Sequence, residues 1–186
     1  MAFVDQIVSS INATLNVVLT SYKRNTKGVC DVTNDGNERL YLRTATGEEF
    51  AVLDDNYEIV CFHVAEETQY SPADQQFGEG DDMYDSVTRI DLIAYAYSGT
   101  MLNNRTLAAL IVSALPTTVS LTGQEDKGLY QTTVEVNASN YNSVEVFSKL
   151  YQGVDYAIPP SDSLVAVTYT VTSSINRTCL PTCLNC

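Results

Sequence analysis

The first twenty residues carry apolar side chains at helical spacing. The apolar positions recur every three or four residues, so they fall on one face of a helix. They are Phe3, Val4, Ile7, Val8, Ile11, Leu15, Val18 and Leu19. The pattern predicts one amphipathic helix over residues 2–20. Its other face is small and weakly charged, a surface that suits either solvent or a neighbouring molecule, and it holds Gln6, Ser9, Ser10, Asn12, Ala13 and Asn16.

Alternating apolar and polar residues then predict a series of strands. Residues 28–33 end at the turn sequence Asn34-Asp35-Gly36. The segments ERLYLRT and EEFAVLD flank Ala45-Thr46-Gly47 as the two arms of a hairpin. YEIVCFHVAEE is apolar on both sides, which indicates a central strand. SVTRIDLIAYAYS reads as its long antiparallel partner.

The rest of the pattern adds two helices and more strands. NRTLAALIVSALP predicts a helix with Asn103 or Asn104 as its cap, and residues 140–151 predict a third, shorter helix. TTVSLT and LYQTTVEVN predict short strands, and SLVAVTYTVTSS the last strand. We therefore expect an α+β fold with one mostly antiparallel sheet, on which an N-terminal helix and two further helices pack. Residues 1–172 form this single domain, and residues 173–186 a Cys-rich C-terminal tail.

Negative charge is concentrated in one quarter of the chain. The 186 residues carry a net charge of -13, and 12 carboxylates lie between Thr44 and Thr88, where no lysine or arginine occurs. This balance argues against free DNA binding, because phosphates are neutralised by Lys and Arg. The one basic cluster, Lys23, Arg24 and Lys27, is expected at the end of the first helix, where cations meet the negative helix terminus.

Residues 66–85 lack periodicity and are predicted to form a long acidic loop between the two long strands. Such a loop docks onto a basic partner or lines an aqueous channel. Its seven carboxylates form the predicted interaction site: Glu66, Glu67, Asp74, Glu79, Asp81, Asp82 and Asp85.

Residues for catalysis are scarce. The single histidine, His63, lies on the predicted central strand, where a buried, hydrogen-bonded core role is favoured over a small hydrolase using His63 with a carboxylate. We expect no enzyme activity, no catalytic residue and no cofactor. The N-terminus does not resemble a signal peptide, and no apolar run approaches the ~20 residues that span a bilayer, so no membrane partner is expected.

Three of the five cysteines crowd the C-terminus: Cys179, Cys183 and Cys186. Free thiols in a tail, or a link to another subunit, account for them. The alternative is a metal-binding interaction module, in which these cysteines bind zinc with Cys30, Cys61 or His63 as the fourth ligand, or in which the acidic loop binds calcium.

The order of these elements resembles the tail-terminator and head–tail connector (neck) proteins of tailed bacteriophages. FVDQIVSSINATLNVVL matches their leading helix, NRTLAALIVSAL the helix packed on the sheet, and SLVAVTYTVTSS the final strand. The tail RTCLPTCLNC is similar to the C-termini of neck or ring proteins in crAss-like phages. The resemblance implies a tail-terminator-like fold and a structural virion protein made in the host cytoplasm. It also implies a homo-oligomeric ring that joins portal or head to tail, contacts other neck, portal or tail proteins, and surrounds DNA only as it passes through.

Overall fold

A computed structural model of the protein describes residues 2–34, 40–44, 47–51, 56–72, 83–117, 119, 129–140 and 161–176. Two α-helices lie within them, α1 (Ala2–Val18) and α2 (Asn104–Ala114), with a short 3-10 helix at Ser98–Thr100. The strands are β1 (Arg24–Asn34), β2 (Leu40–Thr44), β3 (Glu49–Ala51), β4 (Ile59–Ala65), β5 (Gln69–Pro72), β6 (Met83–Ala96), β7 (Leu129–Asn140) and β8 (Ser163–Asn176).

The described strands form one eight-stranded sheet. Seven of them follow the order β3-β2-β1-β4-β6-β8-β7, and β5 pairs with β6. β1 and β4 run parallel, and the other described pairs are antiparallel. The predicted α+β class and the mostly antiparallel sheet are therefore confirmed, and the single parallel pair makes the sheet mixed.

The longest pair, β6 and β8, gives the sheet two distinct ends. The two strands stay in register over 14 residue pairs, from Ala96 opposite Ser163 to Met83 opposite Asn176. At ~3.3 Å per residue this ladder is about 45 Å long. We call the Ala96 end the near end and the Met83 end the far end.

Both helices cover one face of the sheet, the helix face. α1 packs on β1 and α2, and α2 packs on β8. Because side chains alternate along a strand, every second residue of the central strands points to these helices and joins one buried core. The predicted apolar stripe is confirmed, since five residues of α1 at helical spacing, and Leu19 directly after it, are buried in this core. The five are Val4, Ile7, Val8, Ile11 and Leu15.

The opposite face, the outer face, changes character along its length. Toward the near end Phe62, Ile93, Tyr95 and Leu164 are at most 1% exposed. Toward the far end the same alternation brings charged and hydroxyl side chains to the surface. The outer face is therefore apolar at the near end and becomes polar and charged from Asp91 onward toward the far end.

The acidic loop is shorter than predicted, because residues 69–72 form β5 and β6 begins at Met83. The physical reason is the length of β6. β4 pairs with β6 only as far as Ala65 opposite Ile90, and β5 then occupies the same side of β6. The predicted long antiparallel strand pair is confirmed, with residues 73–82 between its arms outside the described residues.

Two further predicted boundaries concern the last strand and the third helix. The last strand is longer than its predicted segment, because β8 continues to Asn176 and keeps pairing with the start of β6. The predicted third helix falls almost wholly outside the described residues, and Asn140 belongs to β7. In TTVSLT, the two described residues, Thr117 and Val119, are not in a strand.

The predicted start of α2 is confirmed in detail. Asn103 is the N-cap, and its side-chain oxygen accepts a hydrogen bond from the Thr106 backbone nitrogen at 2.9 Å. Capping satisfies a helix N–H group that has no partner within the helix. In the described part of the chain, no helix has the length and apolar character needed to cross a bilayer.

Candidate functional site

The predicted interaction carboxylates begin directly after β4. Glu66 and Glu67 are exposed there, and Asp85 is the third residue of β6. The Glu66 backbone nitrogen donates to the Arg89 carbonyl at 2.9 Å, so the chain stays against β6 between β4 and β5. The remaining four carboxylates lie outside the described residues: Asp74, Glu79, Asp81 and Asp82.

Two carboxylates on β6 are held in place by hydroxyl groups of β8. Asp85 accepts a hydrogen bond from the Ser174 hydroxyl at 2.7 Å, and Asp91 accepts one from the Thr168 hydroxyl at 2.6 Å. Both side chains belong to the outer face, because they are six residues apart on an alternating strand. The hydroxyl groups therefore fix two negative charges on this face, Asp85 toward the far end and Asp91 near the middle of β6.

Arg89 lies between these carboxylates on β6 and does not neutralise them. Its Nε is 3.8 Å from Glu66 Oε1, and both side chains are more than half exposed, so the ion pair contributes less than about 1 kcal/mol. Glu135 of β7 is also exposed and lies in the same row of the sheet as Arg89. Four acids thus surround one base, and we call Glu66, Asp85, Asp91 and Glu135 the acidic face.

Sequence reasoning found half of this face. Glu66 and Asp85 were predicted as interaction residues, whereas Asp91 and Glu135 were missed. The signal for Asp91 was present, because residues 85, 89 and 91 share one parity on a predicted strand. Glu135 joins them only through the pairing of β7 with β8, which no local pattern encodes.

The acidic face can attract a basic partner or repel phosphate groups, but its spacing does not suit chelation. Asp85 and Asp91 are about 20 Å apart along one strand. Within the described ranges, no three His, Cys, Asp or Glu side chains come close enough together to hold a metal ion.

His63 was predicted to be a buried, hydrogen-bonded core residue, and this is confirmed. Its side chain is fully buried on the helix face. Nδ1 is 3.0 Å from the Tyr169 hydroxyl on β8, and Nε2 is 3.0 Å from Asn12 Oδ1 on α1. The Asn12 amide nitrogen in turn donates to the Lys27 carbonyl of β1 at 2.9 Å. One hydrogen-bonded chain therefore joins α1, β1, β4 and β8.

The partners fix the tautomer of His63. Because the Asn12 amide nitrogen donates to Lys27, Asn12 presents its oxygen to His63, and this oxygen can only accept. Nε2 therefore carries the proton, and Nδ1 accepts the proton of the Tyr169 hydroxyl. Every donor in the chain points the same way, from Tyr169 through His63 and Asn12 to the backbone.

Burial keeps the groups in this network neutral. It lowers the pKa of His63 to about 3 and raises the pKa of the Tyr169 phenol above its usual range. It also raises the pKa of the neighbouring Cys61 thiol to about 12. A fully buried imidazole cannot meet a substrate from solvent, so this structure does not place His63 to act as the base of a hydrolase.

Asn12 and Asn16 were predicted on the polar face of α1, a surface for either solvent or a neighbouring molecule, and both instead form hydrogen bonds within the subunit. Asn16 donates to the Thr26 hydroxyl at 3.0 Å and accepts from Arg24 Nε at 2.9 Å. Both asparagines are half-buried against β1 because their amides satisfy polar groups at the helix–strand contact. The rest of the predicted polar face is exposed: Gln6, Ser9, Ser10 and Ala13.

The basic cluster has the predicted role at its central residue. The Arg24 guanidinium lies 3.4 Å from the carbonyl oxygens of Leu19, Thr20 and Tyr22, which follow the end of α1. Lys23 places its ammonium 5.7 Å from the centre of the Tyr57 ring. These cations stabilise the near end, where carbonyl groups of a helix terminus are exposed.

The described cysteines do not assemble a metal site. Cys30 is 2% exposed and lies on the outer face, whereas Cys61 is fully buried on the helix face. The two thiols therefore cannot bind one ion together. Burial raises the pKa of Cys30 to about 11, with Asp31 adding to the effect and Lys27 opposing it. Cys179, Cys183 and Cys186 lie outside the described residues.

An open groove lies at the near end, where α2 begins beside the start of β8. Its volume is about 520 Å³. Asp162 closes one side of the groove. Its carboxylate accepts hydrogen bonds from the Tyr95 hydroxyl and, at 2.9 Å, from the Ser98 backbone nitrogen. The groove residues are Met101, Leu102, Asn103, Asn104, Arg105, Ser161, Asp162 and Ser163.

No protein-family model matches the chain, and no curated protein matches its sequence.

Proposed function

We propose that the protein is a structural component of a tailed-phage virion, where it forms a homo-oligomeric ring in the neck between portal or head and tail, around the DNA channel. The observation that carries the proposal is the long hairpin of β4 and β5 against β6, which holds three carboxylates of the acidic face: Glu66, Asp85 and Asp91. We propose that this hairpin is the arm through which each subunit contacts its neighbour.

The two outermost strands of the sheet support a ring rather than a twofold dimer. One end of the strand order is the three-residue β3, and the other is the twelve-residue β7. Contacts between unlike surfaces are head-to-tail, and they generate a ring when the rotation closes. A subunit with two different edges can contribute a different one to each of its neighbours.

The charge distribution supports a position beside DNA without DNA binding. The bases near the end of α1 are engaged within the subunit, since Arg24 contacts the helix terminus and Lys23 contacts Tyr57. The acidic face repels phosphate groups, so a channel lined by it lets DNA pass without holding it. The same carboxylates suit a basic patch on another neck, portal or tail protein.

The element order supports the same assignment. A leading helix, a strand hairpin, two long strands, a central helix and a closing long strand follow one another as the resemblance to tail-terminator and connector proteins implies. The buried state of His63 fits a structural role, because the network it forms holds the helix layer to the sheet.

The oligomeric state of the purified full-length chain tests the proposal. We expect light scattering and mass photometry to show one large species with a fixed number of subunits. Its fraction should rise with concentration, and also with salt, because salt screens repulsion between chains of charge -13. A monomer at every concentration up to the solubility limit, at low and high salt, overturns the proposal, and so does a closed dimer.

A further inference from the structure

The groove at the near end is held open by hydrogen bonds within the subunit. Asn103 caps α2 with its side-chain oxygen. Asn104 Oδ1 accepts a hydrogen bond from the Leu164 backbone nitrogen at 3.1 Å, which ties the start of α2 to β8. The Ser163 hydroxyl donates to the Leu102 carbonyl at 2.6 Å. These bonds fix the polar side chains of the groove, so its shape does not depend on a partner.

Met101 stands exposed at the edge of this groove. Its side chain is 93% exposed, and its φ of 57° is a left-handed backbone conformation that residues other than glycine rarely adopt. Strained conformations of this kind cluster at sites of binding and switching. Methionine is also common on surfaces that bind partners, because its flexible side chain adapts to their shape. The fold therefore holds an apolar side chain in water beside an open groove.

Arg105 adds an available positive charge to the groove. It is exposed, and it forms no ion pair with an acid in the described part of the chain. Two acids of the near end are engaged elsewhere. Glu58 accepts a hydrogen bond from the Lys23 backbone nitrogen at 2.6 Å, and Asp162 accepts one from the Tyr95 hydroxyl. The groove thus offers one apolar and one cationic side chain to a partner.

The matching groups lie between β4 and β5, in a segment that we call the corner (residues 66–70). Four residues separate Ala65 from Gln69, whereas their partners on β6, Ile90 and Val87, are three residues apart. The corner therefore contains one extra residue. Such a β-bulge re-aims side chains at the edge of a sheet, and both glutamates of the corner are exposed.

Glu67 and Tyr70 are the side chains of the corner that complement the groove. Glu67 forms no ion pair with a base among the described residues, whereas Glu66 lies near Arg89. Tyr70 is 45% exposed on β5, an outer strand whose described partner is β6 alone. A carboxylate forms strong hydrogen bonds with a guanidinium such as that of Arg105. An aromatic ring makes favourable contacts with a methionine sulfur.

The corner cannot reach the groove of its own subunit. Ser163, which lines the groove, pairs with Ala96, whereas the corner residue Gln69 pairs with Val87. Val87 and Ala96 are nine residues apart on one strand, which is about 30 Å. The occupant that these charges fit is therefore the corner of a second copy. A contact between unlike surfaces at two separate places on the subunit is head-to-tail.

We propose that the groove of one copy binds the corner of the next copy, with Arg105 opposite Glu67 and Met101 against Tyr70. This inference rests on the proposed ring and names the contact that links its subunits. Every subunit gives one corner and receives one, as a closed ring requires.

Exchanging the two charges tests the contact. Arg105→Glu brings two acids together, and Glu67→Arg brings two bases together. Each variant alone should need at least about tenfold more protein than the wild-type chain for half-maximal assembly, measured by mass photometry. A chain with both substitutions should assemble at the wild-type concentration, because each contact again joins a base and an acid. Mixing the two single variants should give complexes that contain both, which shows that the contact lies between copies.

Three further variants isolate the site. Glu48→Arg reverses another exposed acid, outside the corner, and should leave assembly unchanged. Met101→Asn and Tyr70→Ser should each weaken assembly, while the circular dichroism spectrum and the urea midpoint of the monomer do not fall. Loss of assembly without loss of stability distinguishes a contact from a structural role.

The outcomes separate this inference from the ring. Wild-type assembly by both single charge variants overturns the contact and leaves the ring in place. Loss of assembly in the single variants without recovery in the double variant also overturns it, because the loss then does not come from this pair of charges. A wild-type chain that stays monomeric overturns the ring itself.

Discussion

Replacing His63 with glutamine tests the buried network through the pH dependence of stability. Glutamine is neutral at every pH, and its amide can donate to Asn12 Oδ1 in the place of Nε2–H. His63→Gln therefore removes the titrating group and keeps the bond between β4 and α1. The substitution loses the hydrogen bond to the Tyr169 hydroxyl. The stability lost in this way is the same at every pH below the range in which the phenol ionises.

The expected magnitude follows from the pKa of His63. Burial lowers it from 6.5 to about 3, while the unfolded chain keeps the ordinary value. Between these values the unfolded state binds more protons, so the free energy of unfolding falls as pH falls. The slope reaches about 1.4 kcal/mol per pH unit, and the loss from about pH 7.5 to about pH 4.5 is about 2–3 kcal/mol.

The assay is urea unfolding at these two pH values, followed by circular dichroism. The carboxylates are the same in both proteins, so their effect cancels when the two pH-dependent losses are compared. We expect the wild-type chain to lose about 2–3 kcal/mol more than His63→Gln between the two pH values. Equal losses in the two proteins would refute the assignment of a neutral, buried His63.

Further predictions address single contacts. Tyr169→Phe leaves His63 Nδ1 buried without a donor and should lower the free energy of unfolding by about 1–3 kcal/mol, whereas Tyr70→Phe on exposed β5 should change it by less than about 0.5 kcal/mol; equal effects in urea unfolding would contradict the network. Met101 has φ 57° and a side chain that is 93% exposed, so Met101→Asn should stabilise the fold by about 0.5–1 kcal/mol, and a loss would show that the side chain makes a contact worth more than the strain. In the native protein, Cys30 and Cys61 should resist alkylation until urea unfolds the chain, because burial shields both thiols and raises their pKa; labelling of either thiol without urea, detected by mass spectrometry, would contradict their placement.

Long segments with a regular apolar pattern were the most informative part of the sequence. The apolar stripe of α1 and the two-sided apolar run of β4 are local signals. The stripe is buried in the core between helices and sheet, and β4 is buried on both faces. β5 was missed because QYSP has no alternation of its own. Its pairing follows from the length of β6, which continues past the end of β4.

The partners of His63 illustrate the limit of local reasoning. Its burial followed from the apolar strand around it, but Asn12 and Tyr169 lie 51 and 106 residues away in sequence. The parallel pairing of β1 with β4 could not be predicted from a local pattern either. Neither the neighbours of a strand nor the distant partners of a side chain are encoded in the periodicity of a segment.

The acidic face was predictable from the sequence only in part. Its charge was visible as a stretch without bases, and Glu66 and Asp85 follow from it. Asp91 shares the parity of Asp85 on β6, whereas Glu135 belongs to the face only because β6, β8 and β7 lie side by side. A charged surface built by three strands that are distant in sequence requires the sheet order, which the sequence pattern left open.

Electron microscopy of the purified full-length protein at high concentration tests the central claim most directly. The account predicts closed rings of identical subunits with an open centre wide enough for duplex DNA, and with the acidic face of each subunit toward that opening or toward a neighbouring protein's binding surface. Monomers, closed dimers or open filaments under all conditions would contradict it.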